Sequence, residues 1–368
     1  MAKQSGKMEN LEIGQQLSTY YKNKKVFVTG HTGFKGSWLT ATLHSLGAVV
    51  KGYALAPDYE NGLYDLLQPY KTGESVIADI RDKQKLVAEI SAFQPDYLFH
   101  LAAQPLVKRS YEIPAETFDV NVTGTANVLE AVKGLPGKCA VIVITTDKVY
   151  ENKEKDILYN EQDVLGGYDP YSASKACAEL VVSAFRNSFF NTAEYDKHLK
   201  ALASVRAGNV IGGGDYSRDR IVPDIVRALQ KQQIIPVRNP HAVRPWQHVL
   251  EPIGGYLLLG GLLNGAPLQF SKAYNFGPLP NDHLTVKDLV QKAIGVWGSG
   301  SWEDMSQPDQ VHEAGLLKLD ITRSRTELGW QPQWDAAQAI QQTINWYKQD
   351  AGKRAEFTFQ QIKAYFAR

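Results

Sequence analysis

Residues 26–36 read VFVTGHTGFKG. Val26-Phe27-Val28-Thr29 is an apolar run of the kind that forms a strand buried on both faces, and Gly30 closes it. Gly30, Gly33 and Gly36 follow at regular spacing. Glycines so placed let the chain turn sharply, bring its backbone close to a pyrophosphate and pack the next helix onto the sheet. The N-terminus of that helix favours an anion. Leu39, Leu43 and Leu46 then recur at helical spacing, and Gly47 stands where a helix C-cap glycine belongs. A glycine turn alone would mean only a tight connection; strand, turn and helix together point to a bound nucleotide.

Outward from this turn, short apolar runs alternate with amphipathic ones. Strands are expected through Val49 to Tyr53, over Tyr97 to Leu101 and over Val141 to Ile144. Helices are expected around Leu86, Ile90 and Phe93, around Val122, Leu129 and Val132, and from Pro170 through Ala184. This rhythm predicts an α/β fold, a Rossmann-type doubly wound parallel sheet covered on both faces. Past Arg206 a glycine cluster, prolines and shorter elements predict a smaller C-terminal α/β lobe for the substrate, with late helices around Val286 to Val296 and Asp335 to Tyr347. The expected division is 24–206 plus about 243–276 for the cofactor domain, and about 207–242 plus 277–368 for the substrate lobe. Residues 1–23 form an N-terminal extension in which Met8 offers a second start.

The second strand ends at Tyr53-Ala54, without an acid for a ribose diol, and the nearest, Asp58, lies past Pro57. No Arg or Lys stands there for a 2′-phosphate, so this position chooses neither NAD nor NADP. Asp79, before Ile80, stands at the end of the next apolar run, where it can accept from an adenine amine or cap a helix.

Composition narrows the function classes. The chain has 368 residues and a formal net charge of +1, with 40 basic and 39 acidic residues. That balance argues against nucleic acid or an anionic membrane as the main partner. The two cysteines, Cys139 and Cys177, and scattered histidines offer neither a disulfide framework nor a metal cage. The glycine-broken apolar run from Ile253 to Leu263 is too short to span a bilayer, and residues 1–24 lack a secretory apolar core. A cytoplasmic protein is expected.

Tyr171-Ser172-Ala173-Ser174-Lys175 sets a phenol and an ammonium one helical turn apart. A fixed cation favours phenolate and lowers a tyrosine from its usual ~10, making Tyr171 a candidate base for a sugar hydroxyl. Lys175 could also hold a nicotinamide ribose. Thr145-Thr146-Asp147-Lys148 follows the strand Val141 to Ile144, at the strand end that faces the ligand crevice in open α/β sheets. A capped strand end with a surface Asp-Lys pair would read the same way.

These signatures resemble the extended short-chain dehydrogenase/reductase family. The resemblance runs from about Lys24 to beyond Gly277. VFVTGHTGFKGSWL at 26–39, TTDKVYEN at 145–152, YSASKACAE at 171–179 and RAGNVIGGGD at 206–215 are most similar to its sugar-nucleotide dehydratases acting on CDP-glucose. Leu101-Ala102-Ala103 and Asn121-Val122-Thr123-Gly124-Thr125 match the family's cofactor-side segments.

The resemblance implies a seven-stranded NAD domain with a small sugar-nucleotide lobe, and internal hydride transfer from C4 to C6 of the hexose with loss of water. It serves deoxysugar synthesis for bacterial surface polysaccharide. It assigns NAD contact to Gly30, Gly33, Phe34, Lys35, Gly36, Asp79, Ile80, Leu101, Ala102, Ala103, Thr145, Tyr171 and Lys175. It makes Tyr171 the base at the 4-hydroxyl, helped by Thr146, and Asp147 the acid at the 6-hydroxyl. Where related dehydratases carry Glu as the C5 base, this chain carries Lys148, which can act as a base only when neutral. Gln104, Asn209, Arg220 and Arg244 fall at substrate-binding positions; Asn209 could donate to a phosphate oxygen and the arginines could hold the diphosphate bidentately. Family members pair the helix bearing Ala173, Ala176, Cys177 and Ala184 with the one near Phe118 to Val132 across a dimer, so a homodimer or homotetramer is expected.

Two other readings stand beside this one. A 4-epimerase, or a dehydratase for a GDP-, dTDP- or UDP-sugar, would share the tyrosine; an epimerase needs no acid to expel a hydroxyl, so Asp147 favours dehydration. A non-catalytic NAD-bound regulator on the same fold could dispense with Tyr171 and Lys175.

Overall fold

The computed structural model describes residues 13–218, 220–306 and 317–367. Most of the N-terminal extension, Met8 included, lies outside them. Seven strands form one parallel sheet: β1 (Lys25–Thr29), β2 (Val49–Ala54), β3 (Glu74–Ile77), β4 (Tyr97–His100), β5 (Cys139–Ile144), β6 (Lys200–Ala207) and β7 (Ala273–Phe276). Their order is β7-β6-β5-β4-β1-β2-β3. The chain works outward from β1 on one side, then returns to continue with β4 on the other. This reversal opens a crevice beyond the carboxyl ends of β1 and β4.

Both faces are covered, and alternation along the strands shows how. Ala140, Ile142 and Ile144 of β5 join one buried cluster, with Val26 and Val28 of β1. Cys139, Val141 and Val143 join the other, with Phe27. The first cluster takes in helices α2 (Phe34–Ser45) and α7 (Leu250–Gly265); the second takes in α3 (Lys83–Phe93), α4 (Gly124–Lys133) and α5 (Pro170–Ser188). Central strands are therefore apolar throughout, whereas β3, at the sheet edge, is largely exposed.

Helix α7 holds the glycine-broken apolar run. A Cβ at Gly255 would stand 2.2 Å from the Phe276 ring and one at Gly260 2.4 Å from the Tyr21 hydroxyl, so its glycines let the neighbours approach. Helix α1 (Ile13–Tyr21), within the N-terminal extension, buries Leu17 and Tyr21, and the Tyr21 hydroxyl donates to Leu257 O at 2.7 Å. Before α4, residues Asp119–Thr123 form a π-helical turn, a wider coil common beside functional sites.

Beyond β6 the chain builds α6 (Ile221–Gln230), α8 (Val286–Trp297), α9 (Ala336–Lys348), α10 (Arg354–Phe366) and several two-strand pairings. Val210–Ile211 runs parallel to Gln247–His248, and Val243–Arg244 antiparallel to Leu284–Thr285. Thr285 and Asp335 open α8 and α9 with reciprocal capping boxes. Among the described residues, no helix is long and apolar enough to cross a membrane.

Candidate active site

The glycine turn lies at the carboxyl end of β1. Gly30 has φ +76, a left-handed conformation that glycine adopts without strain, and a Cβ there would stand 2.6 Å from Ala102 N. A Cβ at Gly36 would fall 2.0 Å from Gly30 O. No side chain caps α2 at Gly33, so its first N–H groups face outward from a cradle whose walls are backbone. That arrangement fits a dinucleotide pyrophosphate.

The opposite wall, Leu101-Ala102-Ala103, is held by a directed chain of hydrogen bonds. Thr29 Oγ1 accepts from Leu101 N at 3.1 Å and Ala102 N at 3.2 Å, so its proton goes to His100 Nδ1, 2.7 Å away. His100 Nε2 then donates to Thr125 Oγ1 at 3.0 Å, and Thr125 to Asn121 O at 2.7 Å. Burial, helped by the Lys175 ammonium, pushes His100 down to about 3, so the ring stays neutral and this direction is fixed.

Other expected cofactor positions are engaged differently. Asp79 is clamped by Arg81, whose Nη2 and Nε lie 2.7 and 3.0 Å from Oδ2, and this guanidinium holds the carboxyl below its ordinary range. The cap of α3 is Asp82, not Asp79. Ile80 is buried against Gly124. The Phe34 ring turns toward Gly212 in the core, leaving its backbone at the head of α2. After β2, Leu55 O accepts from Thr32 Oγ1 at 2.9 Å, and Asp58 is exposed.

Lys35 is half-buried, with Nζ 3.4 Å from the Tyr256 hydroxyl. Burial brings it down to about 7, with Arg220 and Lys175 pushing the same way and Asp147 opposing. Those influences place Lys35, Lys175, Arg220 and Asp147 close to one another.

Thr145 leaves β5 with its hydroxyl donating to Glu179 Oε1 at 2.6 Å. Thr146 caps the turn Asp147–Val149 and donates to Asp147 Oδ1 at 2.9 Å. Lys148 Nζ reaches the same oxygen at 3.5 Å. Asp147 is buried, whereas Lys148 is partly exposed. A Cβ at Gly208 would stand 3.2 Å from Asp147 Oδ2 and 3.4 Å from Pro245, so the loop after β6 lies close against Asp147. Asn209 follows in that loop, and Arg244 precedes Pro245.

Pro170 in the first turn and Asp169 at the cap, accepting from Ser172 N at 2.9 Å, start α5 immediately before Tyr171. Tyr171 and Lys175 are both buried. Here the structure corrects the expected electrostatics. Burial raises the Tyr171 phenol; the Lys148 ammonium and a hydrogen bond with Thr146 oppose that, while Asp147 adds to it. Lys175 instead donates to Ile144 O at 2.9 Å, and burial brings it down to about 8. The cation that favours phenolate most is Lys148, from a different element, with Arg220 adding to it.

Gln104 also departs from expectation. Its Nε2 donates to Leu106 O at 3.1 Å and Thr117 Oγ1 at 3.0 Å, and its Oε1 accepts from Leu106 N at 2.7 Å. The amide organises its own loop instead of facing a substrate. Arg220 pairs with Asp215 at 3.4 Å at the start of α6, and its charge is felt by Tyr171 and Lys35. Glu179 and His100 were not singled out from sequence, and Asn121 entered only as part of the match at 121–125. For Glu179 a signal was present: it stands four residues past Lys175, on the same helical face.

The model of the GDP-mannose 4,6 dehydratase family matches residues 27–343. The CDP-glucose 4,6-dehydratase of Salmonella typhimurium is 48% identical over 89% of this chain and 92% of its own. The UDP-glucose 4-epimerase of Mycolicibacterium smegmatis is 27% identical over 88% of this chain and 98% of its own. Among solved structures, the dTDP-glucose 4,6-dehydratase DesIV of Streptomyces venezuelae, with NAD and TYD bound, superposes with a TM-score of 0.75 at 23% identity, covering 90% of this chain and 99% of that one. It shares the fold.

Proposed function

Because the chain belongs to the GDP-mannose 4,6 dehydratase family, we propose that it is a hydro-lyase converting CDP-glucose to CDP-4-keto-6-deoxyglucose with retained NAD. The 48% identity to a CDP-glucose 4,6-dehydratase supports the substrate, and the backbone cradle of Gly30, Gly33 and Gly36 against Leu101-Ala102-Ala103 supports the cofactor. NAD, when bound, supplies a hydride acceptor at C4 and returns the hydride at C6. The observation that carries the reading is Asp147, a buried acid hydrogen-bonded by Thr146 and close enough to Tyr171 for its charge to be felt there.

Each residue then has a task. The Tyr171 oxygen takes the 4-hydroxyl proton, with Thr146 and Lys148 offsetting the cost of a buried phenolate. Lys175 holds the nicotinamide ribose, and Thr145 with Ile80 lines the cofactor. A 4-ketone acidifies the C5 proton, which Lys148 removes while Asp147 protonates the departing 6-hydroxyl; the Lys148 ammonium then returns a proton to C5 as C6 receives the hydride. Asp147 and Lys148 share one transferable proton. Once Tyr171 has taken the 4-hydroxyl proton, transfer of the shared proton from Lys148 to Asp147 leaves a neutral amine beside a neutral acid. Arg220, Arg244 and Asn209 bind the diphosphate side.

The product is a precursor for deoxysugars of surface polysaccharide, and the enzyme works in the cytoplasm. The chain divides into the cofactor domain and substrate lobe given above. It forms a homodimer, or a tetramer of such dimers, through α5 and the helix near Phe118 to Val132; Leu180 and Phe118 lie exposed there. Incubation with CDP-, GDP-, UDP- and dTDP-glucose tests the reading: loss of one water from the CDP sugar with no net NADH is expected. Turnover of only another nucleotide sugar overturns the substrate assignment.

A further inference from the structure

Beneath Lys175, on the next turn of α5, lies a carboxylate that no step above uses. Glu179 is 4% exposed, yet both oxygens are satisfied. Oε1 accepts from Thr145 Oγ1 at 2.6 Å; Oε2 accepts from Ser204 Oγ at 2.8 Å and Arg206 Nη2 at 3.0 Å. Arg206 in turn donates to the Tyr150 hydroxyl at 2.9 Å, and Tyr150 to Asn275 Oδ1 at 2.8 Å. The network keeps Glu179 ionised: Arg206 and the two hydroxyls outweigh burial and hold its carboxyl below the ordinary range. A buried anion this thoroughly held is a fixed charge.

We propose that Glu179 is a positioning residue of this active site, whose fixed negative charge keeps Lys175 protonated while its hydrogen bond to Thr145 anchors the end of β5 that carries Thr146 and Asp147. The proposal deepens the dehydratase reading and rests on it for the part Lys175 plays. Its physical basis is the isolation of the Lys175 ammonium. Its Nζ has a carbonyl, Ile144 O, as hydrogen-bond partner, and burial drives it toward the neutral amine. From the elements around it come Lys35 at the head of α2, which is like-charged, and His100 on β4, which is neutral. Tyr171 precedes it by one turn. Behind Glu179 stand Arg206 on β6 and Arg186 on α5, both cations. Glu179 stands one helical turn beyond Lys175 on the same face of α5, and its negative charge opposes the effect of burial. Without it, a buried ammonium would sit among cations and shed its proton near neutrality, losing the charge needed to hold ribose hydroxyls.

The test is a titration of Lys175 in the whole protein, by NMR of ε-13C-labelled lysine with Lys175→Met used for assignment. In Glu179→Gln the Lys175 midpoint is expected to fall by about one pH unit or more; Ser204→Ala, which keeps the carboxylate, should leave it near the wild-type value. Should Glu179→Gln fail to fold, Glu179→Gln/Arg206→Met removes both buried charges and should still lower the midpoint. An unchanged midpoint in the folded variant overturns the proposal. With CDP-glucose, the alkaline limb of kcat should move to lower pH in Glu179→Gln and return most of the way in Glu179→Asp, whereas a purely structural role would lower kcat evenly across pH. The titration uses no substrate, so it stands apart from failure of the dehydratase reading, which appears as wild-type protein that turns over no CDP-glucose.

Discussion

Thr146 donates its hydroxyl proton to Oδ1 of Asp147 at 2.9 Å. Lys148 Nζ lies 3.5 Å from that same oxygen. The proposed base and acid for two neighbouring sugar carbons thus hang on one short turn at the end of β5, and substitution separates the two roles. Lys148→Met is expected to abolish exchange of the C5 hydrogen with solvent while still permitting NADH formation in a single turnover, with kcat down about 10²–10⁴-fold. Full turnover in this variant would remove Lys148 as the base.

The glycine cradle makes a steric prediction. At Gly36 an added methyl group meets Gly30 O at 2.0 Å, backbone against backbone, so neither side can yield cheaply. Gly36→Ala should weaken NAD binding at least about 100-fold, the scale of losing ~3 kcal/mol of fit. Equilibrium dialysis of the variant against NAD measures it. Gly137→Ala, where a Cβ meets nothing within 4 Å, serves as the control and should bind as wild type.

Stability should fall on the acid side. His100 and His248 are both pushed down to about 3 by burial. Their folded values lie below the unfolded ~6.5, so the unfolded chain takes up protons first; stability is complete above ~6.5 and is lost as pH falls toward 3. At pH 5 each costs about 2 kcal/mol. Urea unfolding at pH 7 and pH 5 should show the loss, and His248→Phe should remove about 2 kcal/mol of it.

How much of this was legible in the sequence depends on how local the physics is. The strand-turn-helix of residues 26–45 and the cap-to-lysine run of α5 declare themselves because glycine spacing, capping and helical period act within a few residues. The helix Leu250–Gly265 was visible as an apolar run but not as a buried helix, because its four interior glycines depress helix propensity and only packing against Phe276 and Tyr21 explains them. The source of the charge felt by Tyr171 was misread for the same reason: helical spacing points to Lys175, whereas tertiary structure sends that ammonium to Ile144 O and brings in Lys148. Gln104 was similarly captured by its own loop, through Leu106 and Thr117.

Glu251 provides a stability test of the C-terminal assembly. From the first turn of α7 its carboxylate accepts from Gln333 N at 2.9 Å, Trp334 N at 2.7 Å and the Tyr365 hydroxyl at 2.8 Å. Glu251→Ala leaves these donors buried without a partner and should cost about 3 kcal/mol or more, whereas Tyr365→Phe should cost about 1 kcal/mol. Chemical denaturation of the two variants checks the ranking.

The most direct measurement follows a label through one turnover. CDP-glucose carrying deuterium at C4 should give a keto sugar, lighter by one water, with that deuterium at C6, and no NADH should accumulate. A product that has lost the label to solvent, or a C4 epimer that has lost no water, would contradict the account.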